Sequence, residues 1–140
     1  MRILAIDYGT VRIGVAVSDA LGLTAQPVAV IKGKDQDAAL KEIARLVENY
    51  QVTELLIGLP RNMNGSEGPM AVEARAFGQK LAERFKLPIV EWDERLSSQA
   101  AERVLLEADL SRSRRKQVVD KVAAAFILQG YLDSRPREKS

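Results

Sequence analysis

Apolar runs and alternations divide the chain into strands and helices. Residues 2–7 carry the run Ile3-Leu4-Ala5-Ile6 and read as a buried strand that ends at Asp7. From Arg12 to Asp19, Ile13, Val15 and Val17 alternate with smaller or polar positions, which predicts a second strand. Only Tyr8-Gly9-Thr10-Val11 lies between the two, too little for a crossover, so they must be antiparallel. A third strand, Pro27–Ile31, follows a loop holding Gly22. Beyond Gly33 the period lengthens: Leu40, Ile43, Ala44 and Val47 share one helical face, and Asp35 or Asp37 can cap that helix. Leu55–Leu59 is a short buried strand, and Pro60–Gly68, with Asn64-Gly65, is a polar turn. Pro69 opens a helix to about Phe85, with Ala74, Phe77, Gly78, Leu81 and Phe85 inward. Ile89–Trp92 is the last strand. A third helix, capped by Ser97 or Ser98, carries Ala101, Val104, Leu105 and Ala108. The basic segment 112–116 then leads into a final helix with Val119, Val122, Ala123, Phe126 and Ile127 inward.

The element order β-β-β-α-β-α-β-α-α predicts an α/β fold. Its five-stranded mixed sheet has three antiparallel strands followed by two parallel ones, flanked by helices. One domain is expected over residues 1–134, with 135–140 a basic tail. If the fourth strand lies beside the first and parallel to it, three strand ends share one sheet edge: Asp7, the Leu59-Pro60 corner and Trp92-Asp93-Glu94. Ligands of open α/β sheets bind outside the carboxyl ends of parallel strands.

Composition narrows the chemistry. The 140 residues contain neither cysteine nor histidine. That excludes disulfides, thiolate metal sites, Ser-His and Cys-His nucleophilic mechanisms and the common zinc sites. Carboxylates, lysine, tyrosine, hydroxyls or bound ions remain. The net charge is only +2, but its distribution is uneven. Arg112, Arg114, Arg115 and Lys116 cluster, and Arg135, Arg137 and Lys139 lie in the tail. Such clusters suit phosphate contact, and equally a solvated loop or tail. No apolar stretch reaches about 18 residues, so no membrane partner is expected and the protein is expected in the cytoplasm.

The candidate site rests on acids at strand ends. Carboxylates gathered at one edge repel each other unless protons or a hard cation neutralise them. Asp7-Tyr8-Gly9-Thr10 is the first piece, Asp7 as a metal ligand and Gly9 as a point of close backbone approach. The plain alternative is a tight turn in which Gly9 supplies a positive φ. A similar Asp-x-Gly-Thr turn holds phosphate in actin-like ATPases and sugar kinases. Asp93-Glu94-Arg95 is the second piece. Adjacent side chains on an extended segment face opposite ways, so one acid faces the site, Glu94 before Asp93. Asp120, in or near the first turn of the last helix, is the third, although a helix dipole alone would favour an acid there. Arg61, Asn62, Asn64 and Ser66 form a polar loop at the same edge. Trp92 could stack on a base, but Trp92, Phe126 and Tyr131 are core by default.

Four blocks carry a resemblance. They are Asp7-Tyr-Gly-Thr-Val-Arg-Ile-Gly-Val-Ala-Val-Ser-Asp19, Ile57-Gly-Leu-Pro-Arg-Asn-Met-Asn-Gly65, Trp92-Asp-Glu-Arg-Leu-Ser97, and Val119-Asp-Lys-Val-Ala-Ala-Ala-Phe-Ile-Leu-Gln-Gly-Tyr-Leu132. Together they resemble the YqgF family, also called RuvX, in order and spacing over residues 2–133. The resemblance implies a ribonuclease H-like fold akin to RuvC resolvases. It also implies a nuclease assigned to Holliday-junction resolution or to maturation of the 5′ end of pre-16S rRNA. The family's acidic positions fall on Asp7, Glu94 and Asp120. Ser98 stands where many members have threonine.

The expected mechanism is metal-assisted phosphodiester hydrolysis. Asp7 would bridge two Mg²⁺ or Mn²⁺ ions while Glu94 and Asp120 complete their shells, replacing the missing imidazole base. Gly9, Thr10, Arg61, Asn62, Arg95, Arg112, Arg114, Arg115 and Lys116 are the candidate substrate contacts. The expected partner is nucleic acid, either pre-16S rRNA (on its own or in ribosomal precursor particles) or branched DNA. Paired cuts in a junction would call for a homodimer, while trimming one strand needs only a monomer. Two rivals stand beside this reading: a nucleotide-binding ATPase, and a non-catalytic RNA-binding assembly factor.

Overall fold

The computed structural model describes residues 2–60, 64–93 and 112–135, and for 112–121 the backbone alone. Five strands form one sheet: β1 (Ile3–Asp7), β2 (Arg12–Ser18), β3 (Ala25–Lys32), β4 (Glu54–Leu59) and β5 (Ile89–Asp93). Their spatial order is β3-β2-β1-β4-β5. β1–β2 and β2–β3 are antiparallel, while β4 runs parallel to β1 and β5 parallel to β4. The predicted mixed sheet is therefore present, with β1 in its middle.

Strand alternation sends side chains to two separate cores. Leu4, Ile6, Ile13, Val15, Ile31, Leu55, Ile57 and Leu59 face one side. There they pack on α1 (Gln36–Asn49) and α2 (Pro69–Phe85). Asp35 caps α1, its Oδ1 accepting from the Ala38 N–H at 3.2 Å. Gly68 precedes Pro69 at the start of α2, where a missing N–H costs nothing. Ile3, Ala5, Ala16 and Leu56 face the other side, against Ala124, Ile127, Leu128 and Leu132 of α3 (Arg112–Ser134). Burying these apolar surfaces on both sides of the sheet is the main stabilising term.

Three differences from the sequence reading concern α3 and its start. The basic segment 112–116 is already helical, as arginine and lysine allow. The face turned to the sheet is Ala124, Ile127, Leu128 and Leu132, whereas Val122, Ala123 and Phe126 are only half-buried. Arg135, assigned by sequence to the tail, lies over the Tyr131 ring at 5.4 Å and 3.7 Å from Glu54 Oε2. The helix predicted around Ala101, Val104, Leu105 and Ala108, with Ser97 and Ser98, falls outside the described residues, as do Arg137 and Lys139. Among the described residues no helix is long and apolar enough to cross a membrane.

The opposite sheet edge is locked by polar contacts. Ser18, fully buried, accepts from the Ile3 N–H at 2.8 Å and so satisfies a donor the β1 end would otherwise orphan. Gln129 of α3 accepts from the Ala25 N–H and donates to the Leu23 carbonyl, both at 3.0 Å.

Candidate functional site

Asp7 ends the central strand. Ile6, just before it, is level with Ile57 of β4, and Ile57 is level with Glu91 of β5. Asp7 itself is paired with Gly14 of β2. Since Leu4 and Ile6 face α1 and α2, alternation puts Asp7 on the α3 side with Ile3 and Ala5. It is half-buried and makes a polar contact within the chain. A carboxylate held there is partly withdrawn from water and gains from a nearby cation.

The turn after Asp7 is packed backbone on backbone. A Cβ at Gly9 would lie 2.5 Å from the Arg12 carbonyl oxygen. Gly9 has no positive φ; the positive-φ glycines among the described residues are Gly22 and Gly65. The glycine is thus required by close approach, not by the left-handed conformation that the plain turn reading supposes. Gly33 supports the turn from below, donating to the Val11 carbonyl at 2.8 Å. Thr10 is exposed at the tip. Tyr8 points to the α1–α2 side, its ring 4.9 Å from that of Phe77. Its hydroxyl accepts from Gln36 Nε2 at 3.5 Å, and Gln36 Oε1 accepts from Lys80 Nζ at 2.9 Å.

On the other flank, Leu59 is level with Asp93. Ile89 packs in the α1–α2 core, while Val90 and Trp92 pack against the α3 core. By that alternation Asp93 lies on the α1–α2 side, opposite Asp7. Trp92 meets Tyr131 edge-on at 5.8 Å, so it serves packing, and its indole N–H is buried without a hydrogen-bond partner among the described residues. Burial and the Glu54 carboxylate push the Tyr131 hydroxyl above its ordinary value. Arg61, Asn62, Glu94 and Arg95 lie outside the described residues. Arg75 of α2 ties the segment before α2 to β5, binding Glu67 through two nitrogens, Nη2 at 2.7 Å, and Glu91 of β5 at 2.5 Å. These two carboxylates hold the guanidinium pKa well above its usual range.

α3 approaches from the third direction. Its carboxyl end is fixed at the amino edge of the sheet, Gln129 at the start of β3 and Arg135 at the start of β4. The helix therefore runs back from the carboxyl edge, where Asp7 lies. Asp120 sits eight residues beyond Arg112, in the third turn and not the first. The dipole of the first turn then gives no reason for an acid there. Arg112, Arg114, Arg115 and Lys116 occupy the two turns before it. Among the described residues no three acidic side chains gather at one point; Asp120 and these basic residues belong to the part described by backbone alone.

The β2–β3 corner adds residues that the sequence reading passed over. Arg12 and Lys32 are directly opposed across the two strands, and both are exposed. Twenty positions separate them along the chain, so no local charge cluster announces them. Only strand register reveals the pair.

Residues 1–134 match the family described as "RuvX: Holliday junction resolvase". The chain belongs to the RuvX family. A relative from Symbiobacterium thermophilum is 54% identical, covering 96% of this chain and 94% of its own length. Another from Moorella thermoacetica is 56% identical over 95% of both chains. Each is named "Putative pre-16S rRNA nuclease". Among solved structures, Thermus thermophilus RuvC in complex with a Holliday junction substrate superposes with TM-score 0.61 at 15% identity, over 96% of each chain. The fowlpox virus resolvase bound to Holliday junction DNA gives 0.56 at 14% identity, over 96% of this chain and 98% of its own. These likenesses establish the ribonuclease H-like fold for this RuvX member.

Proposed function

We propose that this RuvX protein is a divalent-metal-dependent nuclease that hydrolyses phosphodiester bonds at the 5′ end of pre-16S rRNA. One observation carries the reading: Asp7 ends the central strand on the sheet face that α3 covers. Two further acids are assigned to that face. Asp93 is turned away from Asp7, and the sequence offers a second acid, Glu94, directly after it. Asp120 lies on the α3 backbone one helical turn before Ala124, and we assign it as an acid of the site. The proposed acids are thus Asp7, Glu94 and Asp120.

The donor set fits Mg²⁺ or Mn²⁺. A chain with neither thiol nor imidazole offers only oxygen ligands. When bound, such ions supply water activation and stabilise charge on the phosphate and the leaving 3′ oxygen. Asp7 is held half-buried by its strand, which fixes its direction before any cation arrives. Gly9, Thr10, Arg61, Asn62, Arg95 and the basic turns Arg112, Arg114, Arg115 and Lys116 would steady the flanking phosphates. The names of the relatives at more than half identity support precursor rRNA as substrate.

The test is cleavage of a labelled pre-16S 5′-leader RNA and a four-way DNA junction, side by side, with Mg²⁺, Mn²⁺ or EDTA. Wild type should cut the RNA only with metal, and Asp7→Asn should lose at least about 100-fold in rate, since the metal contribution amounts to several kcal/mol. Cutting confined to the junction would transfer the reading to branched DNA. RNA binding without cutting, unchanged in Asp7→Asn, would replace it with a non-catalytic assembly factor.

A further inference from the structure

We propose that Arg12 and Lys32 form a phosphate-binding pair beside Asp7, through which the single-stranded RNA substrate enters the site. Register puts them there. Asp7 pairs with Gly14, and Gly14 with Val30, so those three form one row across the sheet. Arg12 and Lys32 form the next row on the same face, one step further toward the carboxyl edge. The face assignment follows from their neighbours: Ile13 and Ile31 both enter the α1–α2 core, so Arg12 and Lys32 project to the α3 side, as Asp7 does. Strand spacing places the Arg12 and Lys32 backbones about 8 and 12 Å from that of Asp7.

The pairing itself is the physical argument. Opposite residues of an antiparallel pair have Cβ atoms about 5 Å apart, and like charges so placed are destabilising. An anion seated between the two cations would offset that repulsion. Arg12 is already engaged within the chain, yet a guanidinium has five N–H donors, and Lys32 adds three more. The amino-terminal half of α3, with Arg112, Arg114, Arg115 and Lys116, runs toward the same edge on the same side. The pair lies on the sheet face that this helix covers, beside Asp7, where a phosphate backbone can pass. This inference rests on the nuclease reading and names the path its substrate takes.

The experiment measures binding of a fluorescent 20-nucleotide single-stranded RNA to the full chain in EDTA, as a function of salt, with thermal melting of each variant. Each lost phosphate contact should lower the log–log salt slope by about 0.7 and weaken binding about fivefold at 0.1 M salt. Arg12→Gln and Lys32→Gln should each show this loss. Lys32→Glu should weaken binding further and yet raise Tm by about 1–4 °C, because it turns a repulsive pair into an attractive one. Lys32 is exposed at a sheet edge, so its variants decide the matter even should Arg12→Gln unfold. Wild-type affinity and slope in both Lys32 variants, in a protein that cleaves RNA with metal, would overturn this inference and leave the nuclease reading standing. A wild-type protein that neither binds nor cuts nucleic acid would overturn both.

Discussion

Gly33 is a residue whose importance lies in what it lacks. A Cβ there would sit 2.7 Å from the Gly9 carbonyl oxygen and 3.0 Å from that of Thr10, and both are backbone atoms that cannot rotate away. Gly33→Ala must push the turn that follows Asp7 off its seat. Such overpacking should cost about 1–3 kcal/mol, read as a lower urea midpoint. Cleavage should fall as well, because the displaced turn adjoins the proposed catalytic acid. The sequence announces glycine at 33 as a strand end, and nothing local tells that it faces Gly9, since the contact spans two strands.

At the scale of elements, the β2–β3 connection depends on one carboxylate. Asp19 Oδ1 accepts from the Leu23 N–H at 2.7 Å and the Thr24 N–H at 3.3 Å. The Leu23 bond, followed by those from Thr24 and Gly22, holds the Asp19 pKa below the ordinary aspartate value. A depressed pKa means the folded state prefers the ionised form. The stabilisation is complete above the unfolded value of about 3.9 and is lost as pH falls through the lower folded value. Asp19→Asn should therefore flatten the acid limb of the stability profile below about pH 4 and leave its shape near neutrality intact, as followed by urea titration at each pH. The strands and first two helices were legible because their apolar positions alternate or recur cleanly. α3 was not: Val122 to Leu128 is apolar throughout, so periodicity offers no polar positions to select the buried stripe. Its start is not legible either, because a run of arginines suits a solvated loop and, arginine being a good helix former, a helix equally. The candidate site follows the same rule. Asp7 was visible as a charge ending an apolar run, while the Arg12–Lys32 opposition exists only in the folded register.

For the whole molecule, Arg75 joins parts distant in sequence: the segment before α2 through Glu67, and β5 through Glu91. That segment and that strand lead to or from Arg61, Asn62 and Glu94, three of the proposed site residues. Arg75→Met keeps the bulk of the side chain but cuts both ties. The expected result is faster amide exchange over residues 64–68 and a raised KM for RNA, with Tm nearly unchanged because the ion pairs are partly exposed. A fall in Tm with no change in exchange at 64–68 would show that Arg75 supports α2 alone.

The second core has a consequence in time. Ile3, Ala5, Ala16 and Leu56 are covered by residues 124–132, which leave the ribosome after every strand of the sheet. The first core, by contrast, needs nothing beyond Ile89. During synthesis the nascent chain can close one side of its sheet while the other stays open, an exposed apolar face awaiting α3. Asp120 rides on that same late helix. The proposed third carboxylate and the second core are thus completed together, at the end of synthesis.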